Sequence, residues 1–186
     1  MANTSANVTT GKPKIGGAMY RAPLGSTLPT DSTTALDEAF KALGYISEDG
    51  VTNTESRDNE NIKAWGGDTV MNVLTGRDDT FKFTLIESMN EDVIKMVYGS
   101  SNVTGTASTG LTIKAGSNCD EEACYVIDML LRGGRVKRVV IPDAKVSDVG
   151  DISYKDADVT GYETTLTCLP DESGYTHYEY ISKGRS

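Results

Sequence analysis

Apolar and polar positions along this chain follow several periods in turn, and each change of period marks a part. In residues 80 to 86, Phe81, Phe83 and Leu85 alternate with Lys82 and Thr84, the period-two pattern of a half-buried strand. Residues 69 to 75 read as the strand before it, with a turn over 76 to 79, so the two form an expected hairpin. Tyr162, Thr164, Leu166 and Cys168 share one face and Glu163, Thr165 and Thr167 the other, which predicts an antiparallel strand over 162 to 169. Residues 124 to 131 and 136 to 141 flank Gly133 and Gly134, a pair suited to a tight primed turn. Further strands are expected over 15 to 21, 154 to 159 and 175 to 181. Helical spacing occurs twice. Leu36, Ala39, Phe40 and Leu43 fall at i, i+3, i+4 and i+7, with Thr30, Asp31 or Ser32 to cap the start and Gly44 to end it, so a helix is expected over 30 to 43. Val93, Ile94 and Val97 predict a second over 90 to 98, closed by Gly99. Residues 100 to 110 read as a polar linker. Many short strands without strand–helix alternation predict a mainly β protein, an antiparallel sandwich or barrel with one or two short flanking helices.

Residues 43 to 68 fit neither period. The stretch is polar and acidic, yet carries Tyr45, Ile46, Val51, Ile62 and the only tryptophan, Trp65. A connection this long is uncommon in a compact domain unless it has a function or stays disordered, and Trp65 beside Gly66 and Gly67 argues against disorder. It reads as an arm that packs on something else; the competing reading makes Trp65 an ordinary core residue of a monomeric sandwich.

The length of 186 residues suits a single domain, taken as 15 to 186, behind a flexible N-terminal arm over 1 to 14, with an inserted inter-subunit loop at about 48 to 68. The start lacks the apolar core of a signal peptide, and no apolar run is long enough to span a bilayer, which points to a soluble chain kept in a cytoplasm. Cys119, Cys124 and Cys168 form an odd set without metal-ligand spacing and are expected as buried thiols. A net charge of −9 opposes nucleic-acid binding, which needs basic residues to neutralise phosphates. Arg132, Arg135, Lys137 and Arg138 gather at the Gly133–Gly134 turn; solubility or edge protection would explain them, and contact with an acidic surface of a second copy is the more informative reading.

No catalytic constellation is present: the one histidine, His177, lies in an expected strand, and GxSxG, P-loop and HExxH motifs are absent. The acidic groups Asp78–Asp79, Asp120 to Glu122, and Asp143, Asp148, Asp151, Asp156 and Asp158 read as solvated surface, without calcium-loop spacing. No enzyme activity, cofactor or metal is expected.

Three motifs, 20 to 31 (YRAPLGSTLPTD), 43 to 51 (LGYISEDGV) and 62 to 68 (IKAWGGD), give residues 15 to 100 a resemblance to the major tail tube proteins of long-tailed, non-contractile bacteriophages. The resemblance implies a sandwich with a flanking helix, assembled as hexameric rings that stack into a tube around a tape-measure protein. The tube would end on tail-terminator and distal tail proteins, be assembled in the host cytoplasm, reside in the virion, and carry the genome without sequence-specific binding. Inter-subunit contacts are then expected from Glu48, Asp49, Gly50, Val51, Ile62, Trp65, Gly66 and Gly67 in the arm, and from Arg135, Lys137 and Arg138. Six subunits would bring about −54 of net charge to a ring, and an acidic lumen would repel phosphates. A tube of a contractile or secretion apparatus is the nearest alternative; a carbohydrate-binding β-sandwich, or remotely a hydrolase on a β-scaffold, belongs to a different class.

Overall fold

A computed structural model describes residues 3–14 and 17–183. The strands in chain order are β1 (Lys12–Pro13), β2 (Met19–Pro23), β3 (Lys41–Ala42), β4 (Ile46–Lys63) and β5 (Thr69–Leu85). Helix α1 (Glu91–Tyr98) comes next, followed by β6 (Val103–Thr106), β7 (Gly110–Ile113), β8 (Glu122–Leu130), β9 (Val136–Val149), β10 (Tyr162–Cys168) and β11 (Tyr178–Ile181). The fold is mainly β and antiparallel, of the sandwich type. Its main sheet runs β3-β2-β8-β9-β10-β5-β4. β1 joins β2 in the lane beside β8, and β11 joins β10 in the lane beside β9. Ile15 and Gly16, the start of one expected strand, lie outside the described residues.

β8 and β9 are central and apolar on both faces. Ala123, Tyr125, Ile127, Val139 and Ile141 join Phe81, Phe83, Leu85 and Leu166 in the larger core. Cys124, Val126 and Val140 pack on the other side against Ala22 and Phe40. The larger core is closed by α1, where the Asn90 side chain accepts from the Asp92 amide at 3.0 Å and the Gly99 amide caps the Lys95 carbonyl at 2.9 Å. Val93, Met96 and Val97 reach that core from the helix, each contributing about 1.5–3 kcal/mol by its burial. The register shifts opposite Ala123–Tyr125 of β8 and Thr165–Leu166 of β10 each place an extra residue in β9, the device that bends a strand.

Several expectations are corrected. Residues 30 to 43 are not helical. Their apolar positions are core positions, with Phe40 and Leu43 buried, but the backbone is engaged elsewhere. The Asp31 carboxylate accepts from the Thr33 and Thr34 amides at 2.6 Å each, and Arg138 Nη1 donates to the Asp31 and Thr34 carbonyls at 3.1 and 2.8 Å. The carbonyls held by Arg138 are drawn away from an i→i−4 ladder, whereas the Asp31 bonds are those of an N-cap and do not themselves oppose a helix. The polar linker contains the small hairpin of β6 and β7. Residues 154 to 159 are irregular, and Cys119 is exposed while Cys124 and Cys168 are buried. The chain reverses at Gly133 and Gly134 as expected, both with positive φ, 76° and 70°, but over a three-residue turn, Arg132–Gly134, closed by the Leu131 amide donating to the Arg135 carbonyl at 2.8 Å, rather than a tight two-residue one.

The largest correction concerns residues 43 to 85. β5 is one continuous strand rather than two, and the reversal falls at 64 to 68 instead of 76 to 79. β4 and β5 therefore make one long ribbon, paired from Ile46↔Leu85 out to Lys63↔Thr69.

Candidate assembly surface

The ribbon is anchored at one end and free at the other. β5 pairs with β10 only from Leu85 to Thr80, and β10 ends one residue further on, at Cys168. Its inward positions there are Leu85, Phe83, Phe81 and finally Asp79. Asp79 is buried to 1% exposure, against the expectation of a solvated carboxylate. It accepts from Asn53 Nδ2 at 2.7 Å and Thr176 Oγ1 at 2.6 Å, and pairs with His177 Nδ1 at 2.6 Å. Burial pushes its carboxyl up, but the hydrogen bonds from Thr176, Asn53 and His177 outweigh that and hold it below the ordinary carboxylate range. His177 also packs edge-on against Phe81, centroids 5.4 Å apart. These four side chains tie both strands of the ribbon to the segment leading into β11.

Beyond this tie the ribbon leaves the body. Residues 54 to 63, at about 3.3 Å each, carry it roughly 30 Å outward. Its near half is polar: Glu55 accepts from Arg57 and from Arg77, the latter at 2.9 Å, and the Arg77 and Arg57 bonds draw the Glu55 carboxyl down to about 2. A bulge between Asp58 and Asn59 ends that half. The far half exposes Ile62, Val70, Met71, Val73 and Leu74. At the tip the Ala64 amide donates to the Asp68 carbonyl at 2.8 Å, and Gly66 and Gly67 take φ of 118° and 98°. Trp65 stands on this turn at 107% exposure. The reading of Trp65 as a core residue is overturned.

The other expected contact residues divide between two places. Glu48, Asp49, Gly50 and Val51 lie at the root of the ribbon, in the bulged stretch between the Ile46 and Val51 pairings; Gly50 has φ 73°, and Val51 packs on the core. Glu48 and Asp49 line a groove with Asp151, Asp158 and Glu163. The basic group sits apart, where β8 turns into β9. Arg135 is exposed and Lys137 pairs with Glu179 at 2.7 Å. Arg138, however, is buried at 1% exposure and bonds Asp128 through Nε at 2.7 Å and Nη2 at 2.9 Å. Its guanidinium is used inside the subunit, which corrects its expected place in an outward contact. Lys14 adds 3.1 Å to the same carboxylate. Burial raises the Asp128 carboxyl, and Arg138 and Lys14 more than reverse it, so it stays ionised.

The expected contact set omits Val70, Met71, Val73 and Leu74. Their signal is present in the chain: VMNVL lacks the clean alternation of a strand with one wet face. Among the described residues, no group of three His, Cys, Asp or Glu side chains is placed to hold a metal ion, and no helix is long and apolar enough to cross a membrane.

A packed β body with a long arm whose large apolar side chains are uncovered is the form of a subunit completed by assembly, because monomers rarely leave such surface open. The family model for the phage tail tube protein matches residues 1–185, and the chain belongs to that family. It is a structural component of the virion tail, and its family membership implies self-assembly into a tube and a structural rather than catalytic role. No curated protein matches the chain.

Proposed function

We propose that this protein forms hexameric rings that stack into the tail tube, the conduit for the genome into the host, and that the β4–β5 arm is the contact between rings. One observation carries the assignment of the arm: Trp65, the only tryptophan, stands fully exposed at the end of a ribbon anchored by buried side chains. Large aromatics at such sites are frequent interface hot spots. Ile62, Gly66 and Gly67 shape the tip, while Glu48, Asp49, Gly50 and Val51 form its root and a receiving surface for a neighbour. Arg135 and Lys137 supply a basic contact to an acidic neighbour. The net charge of −9 supports a lumen that repels phosphate, so that DNA passes without adhering. The tape-measure protein, the tail terminator and the distal tail proteins complete the partners in this reading, and assembly takes place in the host cytoplasm.

Trp65→Ala tests it. The expected result is a folded subunit that forms no tubes in electron micrographs at concentrations where the parent does; normal tubes would remove the arm from the contact. A strongly positive lumen wall in the assembled tube would refute the repulsion mechanism.

A further inference from the structure

The arm's pairing register says how it is held. Residues directly opposite in an antiparallel pair put their side chains on the same face. Ile62 is opposite Met71 and Glu60 is opposite Val73, so Ile62, Met71 and Val73 form one apolar face. Asn61 is opposite Asn72 and Asn59 is opposite Leu74, so Leu74 lies on the other face among three asparagines, while Val70 sits unpaired in the register shift between the Ile62 and Lys63 pairings. The Asn72 Nδ2 to Asn61 Oδ1 bond of 2.7 Å lies across this second face, beside Leu74. Each face of the far half therefore exposes large apolar surface from β5: Met71 is 57% exposed on one and Leu74 53% on the other.

We infer that the far half of the arm is inserted between surfaces of other copies of this chain and is covered on both faces, rather than laid with one face on a neighbour. An arm resting on one surface by its Ile62, Met71 and Val73 face would leave Leu74 in water, on the side that antiparallel ribbons with one wet face keep polar. The occupants are copies of the same chain, because tube formation in this family is self-assembly. The area fits as well. Trp65 with the five apolar side chains exposes several hundred Å², beyond the few hundred a monomer usually leaves in one patch and of the order of the ~800 Å² each partner gives to a specific interface. The depth of insertion is also set. Before the bulge at Asp58 the ribbon carries the Glu55–Arg57–Arg77 network and no large exposed apolar group, so the inserted part begins at Asn59.

This inference rests on the arm being the inter-subunit contact, and three variants separate the two ideas. I62S/M71S alters one face, L74S the other, and W65A the tip. Each face variant is expected to raise the critical concentration for tube formation by at least about tenfold, the effect of losing 1.4 kcal/mol of contact. If W65A blocks assembly while either face variant assembles like the parent, the two-sided insertion is wrong and the arm reading stands. If all three assemble normally, or the parent stays monomeric at every concentration, both are wrong. A photo-crosslinking residue at 71 or at 74 in parental tubes gives an independent reading that does not depend on variant folding. Both positions should crosslink to other copies, at different segments, and an uncrosslinked face overturns the proposal.

Discussion

The β8–β9 pair and the outer β4–β5 pair are both antiparallel ladders, yet they stand at opposite ends of burial. In β8 from 123 to 128 and the facing part of β9 from 138 to 142 every side chain is buried, and the acid that enters, Asp128, arrives with Arg138 and Lys14 already bonded to it. In the outer β4–β5 pair the backbone ladder continues through two register shifts, but the apolar side chains have no cover and the charges are exposed. A two-stranded ribbon is marginal alone in water. The subunit therefore keeps two energetic accounts, one closed on folding and one closed on assembly, and substitutions in the two regions should separate them.

The largest effect on folding is expected at the buried ion pair. Asp128→Ala leaves the Arg138 guanidinium enclosed without its anion, a loss of about 3–5 kcal/mol. Chemical denaturation of the monomer measures it, and a loss near zero would mean that water reaches Arg138. Leu166→Ala follows, at about 2–5 kcal/mol for a fully buried leucine in the main core. Its unfolding midpoint should fall with little change in slope.

Asp79 lies where the two regions join, and Asp79→Asn should cost about 1–3 kcal/mol by leaving bonds to Thr176 and His177 poorly matched. The pH dependence has a defined sign. Its folded carboxyl titrates below the ordinary carboxylate value, so its contribution is present above about pH 4 and is lost as pH falls through the lower folded pKa. Asp128 behaves in the same way. Unfolding free energy measured between pH 6 and pH 2 should therefore fall less steeply in Asp79→Asn than in the parent, and an unchanged acid limb would show that Asp79 is already solvated. Hydrogen exchange should also quicken in the arm before it quickens in β8.

How much of this the chain discloses depends on which groups carry the information. The β10 alternation, the α1 spacing and the Gly133–Gly134 turn are local, and the structure keeps all three. The helix over 30 to 43 fails because Arg138, more than a hundred residues away, takes its carbonyls; no local pattern contains that bond. Asp79 looks like half of a surface acidic pair until Thr176 and His177 arrive from the C-terminal segment. Residues 43 to 68 were legible as an exposed arm through their length and through Trp65, but their strand character was hidden by polar side chains. Backbone pairing with β5 makes the strand there, not apolar burial.

The smallest folding effect is expected at the residue with the largest effect on assembly. Trp65 stands on the turn at full exposure, so Trp65→Ala removes almost no contact that folding makes within the subunit. Substitutions at such positions change stability by no more than about 0.5 kcal/mol. The monomer's denaturation curve should overlay the parent's even as tube formation is lost. A stability loss above about 1 kcal/mol would instead place Trp65 in a contact within its own subunit, and the separation between a body closed by folding and an arm closed by assembly would fail at its clearest point.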